Sequence, residues 1–152
     1  MDTHTLELLD FDKVRGLLAG YAACSLGKDA ARRIEPLTEI GAIRARLALT
    51  TEMADALSAG LSPPLGGVHD IRANVRRAQT GSMLTAEELA EVVEVLRAIA
   101  NIDHWLGRVG EEFPRLGALK AGVGEFSGIA NAIEGCLDER GKVLDTASRK
   151  LS

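Results

Sequence analysis

Aromatic side chains are scarce in this chain: its 152 residues include one Trp, one Tyr and three Phe, 3% together. Leu, Ala, Val and Ile must therefore fill any interior. That composition suits helix-on-helix packing and disfavours a β-sandwich, whose strands draw on aromatic and β-branched residues. Cysteine is scarce too. Cys24 and Cys136 stand far apart and in no metal-ligand spacing, which argues against a disulfide framework or zinc knuckle and fits a reducing, cytoplasmic setting. His4, His69 and His104 form no His-x-x-x-His pair. No apolar run approaches the roughly 20 residues of a membrane span. Asp2, Glu7, Asp10 and Asp12 exclude a secretion signal and an acid-poor transit peptide from the first twenty residues. A basic excess is also missing, with 18 Lys and Arg against 22 Asp and Glu and a net charge of −4. Neutralising phosphates drives nucleic-acid affinity, so strong DNA or RNA binding by these residues alone is not expected.

What is present is helical punctuation. The length suits one domain with a sizeable core. Asp10 is expected to cap a first helix carrying Phe11, Val14, Leu17, Leu18 and Tyr21 at helical spacing. Ser25 would open a second, running to about Ile34 and stopped by Pro36. Thr38 would cap a third, with Ile40, Ile43, Leu47, Ala54 and Leu57 as its apolar stripe and Gly60 as its stop. Pro63, Pro64, Gly66 and Gly67 mark a loop. Asp70 then caps a short basic helix ending near Gly81. Thr85-Ala86-Glu87-Glu88 reads as a capping box. It opens the longest and most apolar helix, through Leu106. Phe113-Pro114 and Gly122 to Gly128 break the chain again, and Ser127 would cap a helix through Leu137. The expected fold is all-α, an irregular bundle of six to seven helices with a short extended segment near the C-terminus. Residues 1–140 would form a helical core domain. Residues 141–152 would begin a connection to a further helix: Thr146 and Ser148 are good caps, but too few residues follow to hold a helix in water. The sequence therefore reads as part of a longer protein.

Candidate chemistry is thin. His69-Asp70 could serve acid–base work, but no serine or cysteine partner is placed beside it, and Asp70 suits a cap. Cys24 and Cys136 read as small packed hydrophobes. The segment Gly122 to Gly128 lacks the glycine spacing and preceding strand of a dinucleotide loop, and Gly141-Lys142 lacks the rest of a phosphate loop. No catalytic, cofactor-binding or metal residue is therefore assigned. Arg72, Arg76 and Arg77 fall on one broad helix side and could touch a nucleic-acid backbone. The simpler reading is a solvated face, or ion pairs with carboxylates such as Glu87 and Glu88.

Several segments carry a resemblance. Thr5-Leu6-Glu7-Leu8-Leu9-Asp10-Phe11-Asp12-Lys13-Val14, Tyr21 to Lys28 and Glu35-Pro36-Leu37-Thr38 resemble the opening of the type-two branch of the MutS family. Pro64-Leu65-Gly66-Gly67-Val68-His69-Asp70-Ile71-Arg72 is similar to that branch's internal segment, and Leu84 to Leu89 and Leu137 to Ser148 complete the order. Arg149 stands where family members commonly have proline, and His69 where they have a basic residue. The second departure weakens any phosphate grip by that loop. The resemblance implies the first part of a helical core, coupling a clamp to a dimerising, DNA-binding ATPase that uses ATP and Mg. It implies a full-length ATPase, with a nuclease domain in many members, acting on branched or mismatched DNA in recombination and repair, or on ribosomes. It assigns no catalysis to these residues, no membrane, and as partners the rest of the chain, a second copy of the full-length protein, and DNA or a ribosome. Two alternatives stand beside it: a module that binds nucleic acid directly through the basic helix, and a helical protein-interaction scaffold.

Overall fold

The structure, a computed structural model, describes residues 3–137 and Leu144. The expected extended segment and final helix start at 141–152 lie outside the described residues, Leu144 excepted; its N–H donates to the Cys136 carbonyl at 2.9 Å. The described residues form an all-α fold of eight α-helices and one 3-10 turn: α1 (Thr3–Leu8), α2 (Phe11–Gly20), α3 (Ser25–Arg32), α4 (Ile40–Ser58), α5 (Arg72–Gln79), α6 (Ala86–Val109), α7 (Pro114–Ala118), the 3-10 turn Leu119–Gly122, and α8 (Ser127–Glu134). The sequence predicts this class. The elements it does not resolve are α1 and α7, each under two turns. They divide into two compact units, residues 3–63 with Leu106–Ala121, and Pro64–Trp105 with residues 122–137. Among the described residues, no helix is long and apolar enough to cross a membrane.

The first unit holds α1 to α4 and α7. Asp10 joins α1 to α2 in a left-handed conformation, φ 52°, which an aspartate tolerates better than most residues. Its side chain caps nothing and instead accepts from Lys13 Nζ at 2.8 Å. Two other expected caps are displaced by one residue. Cys24 Sγ, not Ser25, accepts from the Gly27 N–H at 3.4 Å. Glu39, not Thr38, spans the α4 terminus, its carboxylate accepting from the Gly41 and Ala42 N–H groups at 2.8 and 2.5 Å. A glutamate has two acceptor oxygens and the reach to serve two orphan donors at once.

The expected α4 stripe is not the buried one. Ile40 and Leu47 are largely exposed, while Glu52 and Ala56, one turn apart, are buried on the side facing α7. There Ala56 and Leu116 are both fully enclosed. Leu106, Val109 and Phe113 complete this buried set.

The second unit is organised around residues 86–105 of α6. Thr85 and Glu88 realise the capping box: the Thr85 N–H donates to Glu88 Oε2 at 2.9 Å, and the Glu88 N–H to Thr85 Oγ1 at 3.2 Å. Val95, Ala98 and Trp105 are buried along the helix and Ala130 on α8. Arg97 ties α6 to α8, donating through Nε to Glu134 Oε1 at 3.0 Å and through Nη2 to Asn131 Oδ1 at 2.7 Å. Helix α8 begins at Ser127 and stops at Glu134, short of Leu137, with Glu125 supplying the acceptor for the Ser127 N–H at 2.8 Å.

Candidate nucleic-acid interface

The three arginines singled out in the sequence all lie on α5, and their surroundings differ. The helix is short because Gly81, φ 76°, turns the chain just beyond it. None of its residues is buried. Asp70 stands one residue before its N-cap position, and its carboxylate accepts from the Arg72 N–H at 3.1 Å and from Arg72 Nε and Nη2 at 2.7 and 2.5 Å. The Arg72 charge is therefore matched on the spot. Arg77 donates through Nη2 to the Met83 carbonyl at 2.9 Å and through Nη1 to Glu88. It braces the end of α5 against the capping box of α6. The Arg76 side chain alone of the three makes no hydrogen bond or ion pair among the described residues, although its charge acts on Asp70. The helix thus presents one open guanidinium, with its neighbours held by Asp70 and Glu88. The ion-pair reading made from sequence is realised at Arg77.

The electrostatics follow from these bonds. The Arg72 side chain foremost, then its backbone N–H, hold the Asp70 carboxyl down at about 2, against a smaller opposing effect of burial. Because the folded value is depressed, this contact stabilises the fold above the unfolded aspartate value, and the contribution is lost as pH falls through about 2. Replacing Arg72 with alanine should move the Asp70 midpoint up toward the ordinary aspartate range near 3.9, read by carboxyl NMR titration. A midpoint left at about 2 would show that Arg72 is not the cause.

The other candidate groups do not converge on chemistry. His69 Nε2 lies 3.3 Å from Glu94 Oε2, both side chains more than half exposed. Gly67, φ 76°, packs against that same Glu94, whose Cγ would lie 3.0 Å from an added Cβ. The loop from Pro64 is thus pinned to α6, and its glycine has a packing reason. At the Gly122 to Gly128 segment, the Glu125 carboxylate already occupies the donor at the start of α8. An anion there repels the phosphate that a dinucleotide loop would bind. Its carboxyl is lowered first by its side-chain bond with Ser127 and then by the Ser127 N–H. Among the described residues, no group of three or more His, Cys, Asp or Glu is placed to hold a metal ion. Cys24 and Cys136 are not joined in a disulfide, and both are partly buried.

Two grooves in the first unit are apolar. One of about 350 Å³ lies between α2 and α3 beside Leu18, Tyr21 and Ile34. The other, about 360 Å³, lies beside Met53, Leu57, Leu116 and Leu119. Neither gathers the convergent polar groups of a small-molecule site.

The contacts of widest sequence separation were not foreseen. Glu52 binds α7 across 63 residues, and Arg97 binds Glu134 across 37. Each is one charge among several on its helix, and no local pattern marks such a pair.

No family model matches the chain. Curated relatives do. The endonuclease MutS2 of Exiguobacterium sibiricum is 34% identical over 156 residues, covering 99% of this chain and 20% of that protein. That of Bacillus cytotoxicus is 34% identical over 150 residues, covering 97% and 19%. That of Symbiobacterium thermophilum is 34% identical over 152 residues, covering 100% and 19%. The chain spans about one fifth of the length of these relatives. Matched from end to end at this level, the chain is similar throughout its length to one part of the MutS2 proteins, the type-two branch of the MutS family.

Proposed function

We propose that these residues are the helical core segment of a MutS2-like, DNA-binding ATPase. In that protein they couple a clamp to an ATPase domain. The supporting observation is the end-to-end match to about one fifth of proteins named as endonucleases. Residues 1–140 are the core, and residues 141–152 lead toward the clamp. Nucleotide and Mg binding, nuclease activity, dimerisation and the engagement of branched DNA or a ribosome reside in the rest of the polypeptide, acting in the cytoplasm. Packed helices suit the coupling role, because close-packed interfaces switch between discrete arrangements instead of bending continuously.

The reading predicts that the purified 152-residue chain does not turn over ATP. In the full-length protein, deleting it leaves nucleotide binding intact and abolishes stimulation of ATP hydrolysis by DNA. Turnover by the pure chain that is lost on mutating one of its own residues would overturn the reading. So would DNA-stimulated hydrolysis that survives the deletion.

A further inference from the structure

Helix α2 carries more apolar surface than its neighbours cover. On its inner side Ala19 is buried, and Phe11, half-buried, receives the Arg15 guanidinium 4.9 Å from its ring centroid. Val14, Leu17, Leu18 and Tyr21 follow at intervals of three, four and seven, which puts them on the adjoining side. They are 51%, 69%, 45% and 89% exposed. At one hundred degrees per residue the arc from Leu17 round to Ala19, apolar except for Arg15, spans roughly 200°, about twice the stripe of an ordinary surface helix. Its packing partners, α1 and α3, occupy the inner part of that arc.

The uncovered part is shaped as well as apolar. Leu18 and Tyr21 edge the groove toward α3, which small residues line: Ala22, Gly27, Ala30 and Ala31. An alanine at Gly27 would put its Cβ 3.3 Å from that of Ala22, so α3 is already closely packed at the groove's base against the turn that follows α2. No charged residue lines this groove. A ridge of large apolar side chains beside a trough of small ones is the relief that accepts another helix. A phosphate or an acidic peptide would find nothing to pair with.

We infer that the Val14–Leu17–Leu18–Tyr21 stripe and the groove beside it are a docking surface for an apolar helix from the remainder of the MutS2-type polypeptide. The inference rests on the proposed function. Its occupant is set by length: the relatives run to about five times this chain, so most of such a polypeptide lies outside these residues. Contiguous exposed apolar surface on a folded unit marks a contact site.

The test is radical footprinting of Tyr21, the one tyrosine among these 152 residues, read by peptide mass spectrometry. The 152-residue chain, over a range of concentrations, is compared with the full-length polypeptide from the same gene. Tyr21 should label readily in the short chain at every concentration and lose labelling severalfold in the full-length protein. Leu17→Lys should restore that labelling in the full-length protein while leaving the short chain's melting temperature unchanged. Equal labelling of Tyr21 in the two proteins overturns the inference. Protection in the short chain that grows with concentration also overturns it, in favour of a second copy. A gene product no longer than this chain would remove the proposed function as well, whereas a long product with reactive Tyr21 removes the docking surface alone.

Discussion

Replacing Gly110 by alanine is expected to destabilise the fold by about 3 kcal/mol, the upper end of the usual cost of overpacking. Helix α6 ends at Val109, and the Gly110 N–H still donates to the Leu106 carbonyl at 3.0 Å. The chain then turns back through Phe113-Pro114 into α7 and brings Gly117 against Gly110. A Cβ on Gly110 would stand 2.6 Å from the Gly117 Cα and 2.9 Å from the Leu106 carbonyl oxygen. Both obstacles are backbone, so no rotamer change relieves the clash. Relief requires moving α7, and with it Leu116, which is fully enclosed. Gly117→Ala meets the same wall from the other side, its Cβ 2.6 Å from the Gly110 Cα. Because either alanine forces the same two backbones apart, the double variant should cost less than the sum of the singles. Gly16→Ala provides the control. That glycine lies inside α2 with nothing within 4 Å of an added Cβ, so alanine there should stabilise by about 0.5–1 kcal/mol through helix propensity. Urea melts of the four variants check the signs. A neutral or stabilising Gly110→Ala would mean that the two backbones do not meet.

The legibility of this fold divides along the range of the interaction. Thr85 and Glu88 are three residues apart, and their two reciprocal bonds can be read from the letters because the partners are fixed by helix geometry. At Asp10, Ser25 and Thr38 the helix starts were legible to within a residue or so, but the capping side chains were not. Several nearby groups can reach the same amide, and Glu39 and Cys24 reach it in place of Thr38 and Ser25. The inward faces were legible least. The stripes read on α2 and α4 are apolar, yet Leu17, Tyr21, Ile40 and Leu47 point away from the elements around them. Periodicity reports how much apolar surface a helix has, not which part its neighbours cover. The basic helix was found where expected. The division of its charges, with Arg72 and Arg77 matched and Arg76 open, depends on where Asp70 and Glu88 come to lie. The pairing of Gly110 with Gly117 was invisible for the same reason: nothing in the letters says that a glycine just past α6 and one inside α7 meet.

Glu52→Gln is expected to lower the melting temperature by about 5–10 °C and to flatten its dependence on acid pH. Glu52 sits in the middle of α4 among Thr51, Met53 and Ala54, where a glutamate would pass for a solvated helix residue. Only 9% of the residue is exposed. Its Oε2 accepts from the Arg115 and Leu116 N–H groups at 2.8 and 3.1 Å, and its Oε1 from Arg115 Nη1 at 2.8 Å. Helix α7 has no capping side chain of its own, since Phe113 offers no acceptor and Pro114 no donor. Glu52 therefore caps α7 from another helix, placing a carboxylate where the first-turn amides and the helix dipole favour one. Burial pushes the Glu52 carboxyl up, but the Arg115 side chain and the Leu116 and Arg115 amides together outweigh it, and the net shift is downward. A depressed folded value means that the contact is fully present above the unfolded glutamate value, near 4.3. It is lost as pH falls from there through the lower folded value. The wild-type chain should thus lose melting temperature over that interval, while Glu52→Gln, which carries no titrating group there, should lose less. Arg115→Ala separates the parts. It removes one charged donor but leaves both amides on Oε2, so its loss of melting temperature should be smaller than that of Glu52→Gln. Thermal melts of the three proteins between pH 3 and pH 7 would read both effects, the interval being the one in which ordinary carboxylates titrate. Parallel curves for wild type and Glu52→Gln would show that this carboxylate does not hold α7 in place.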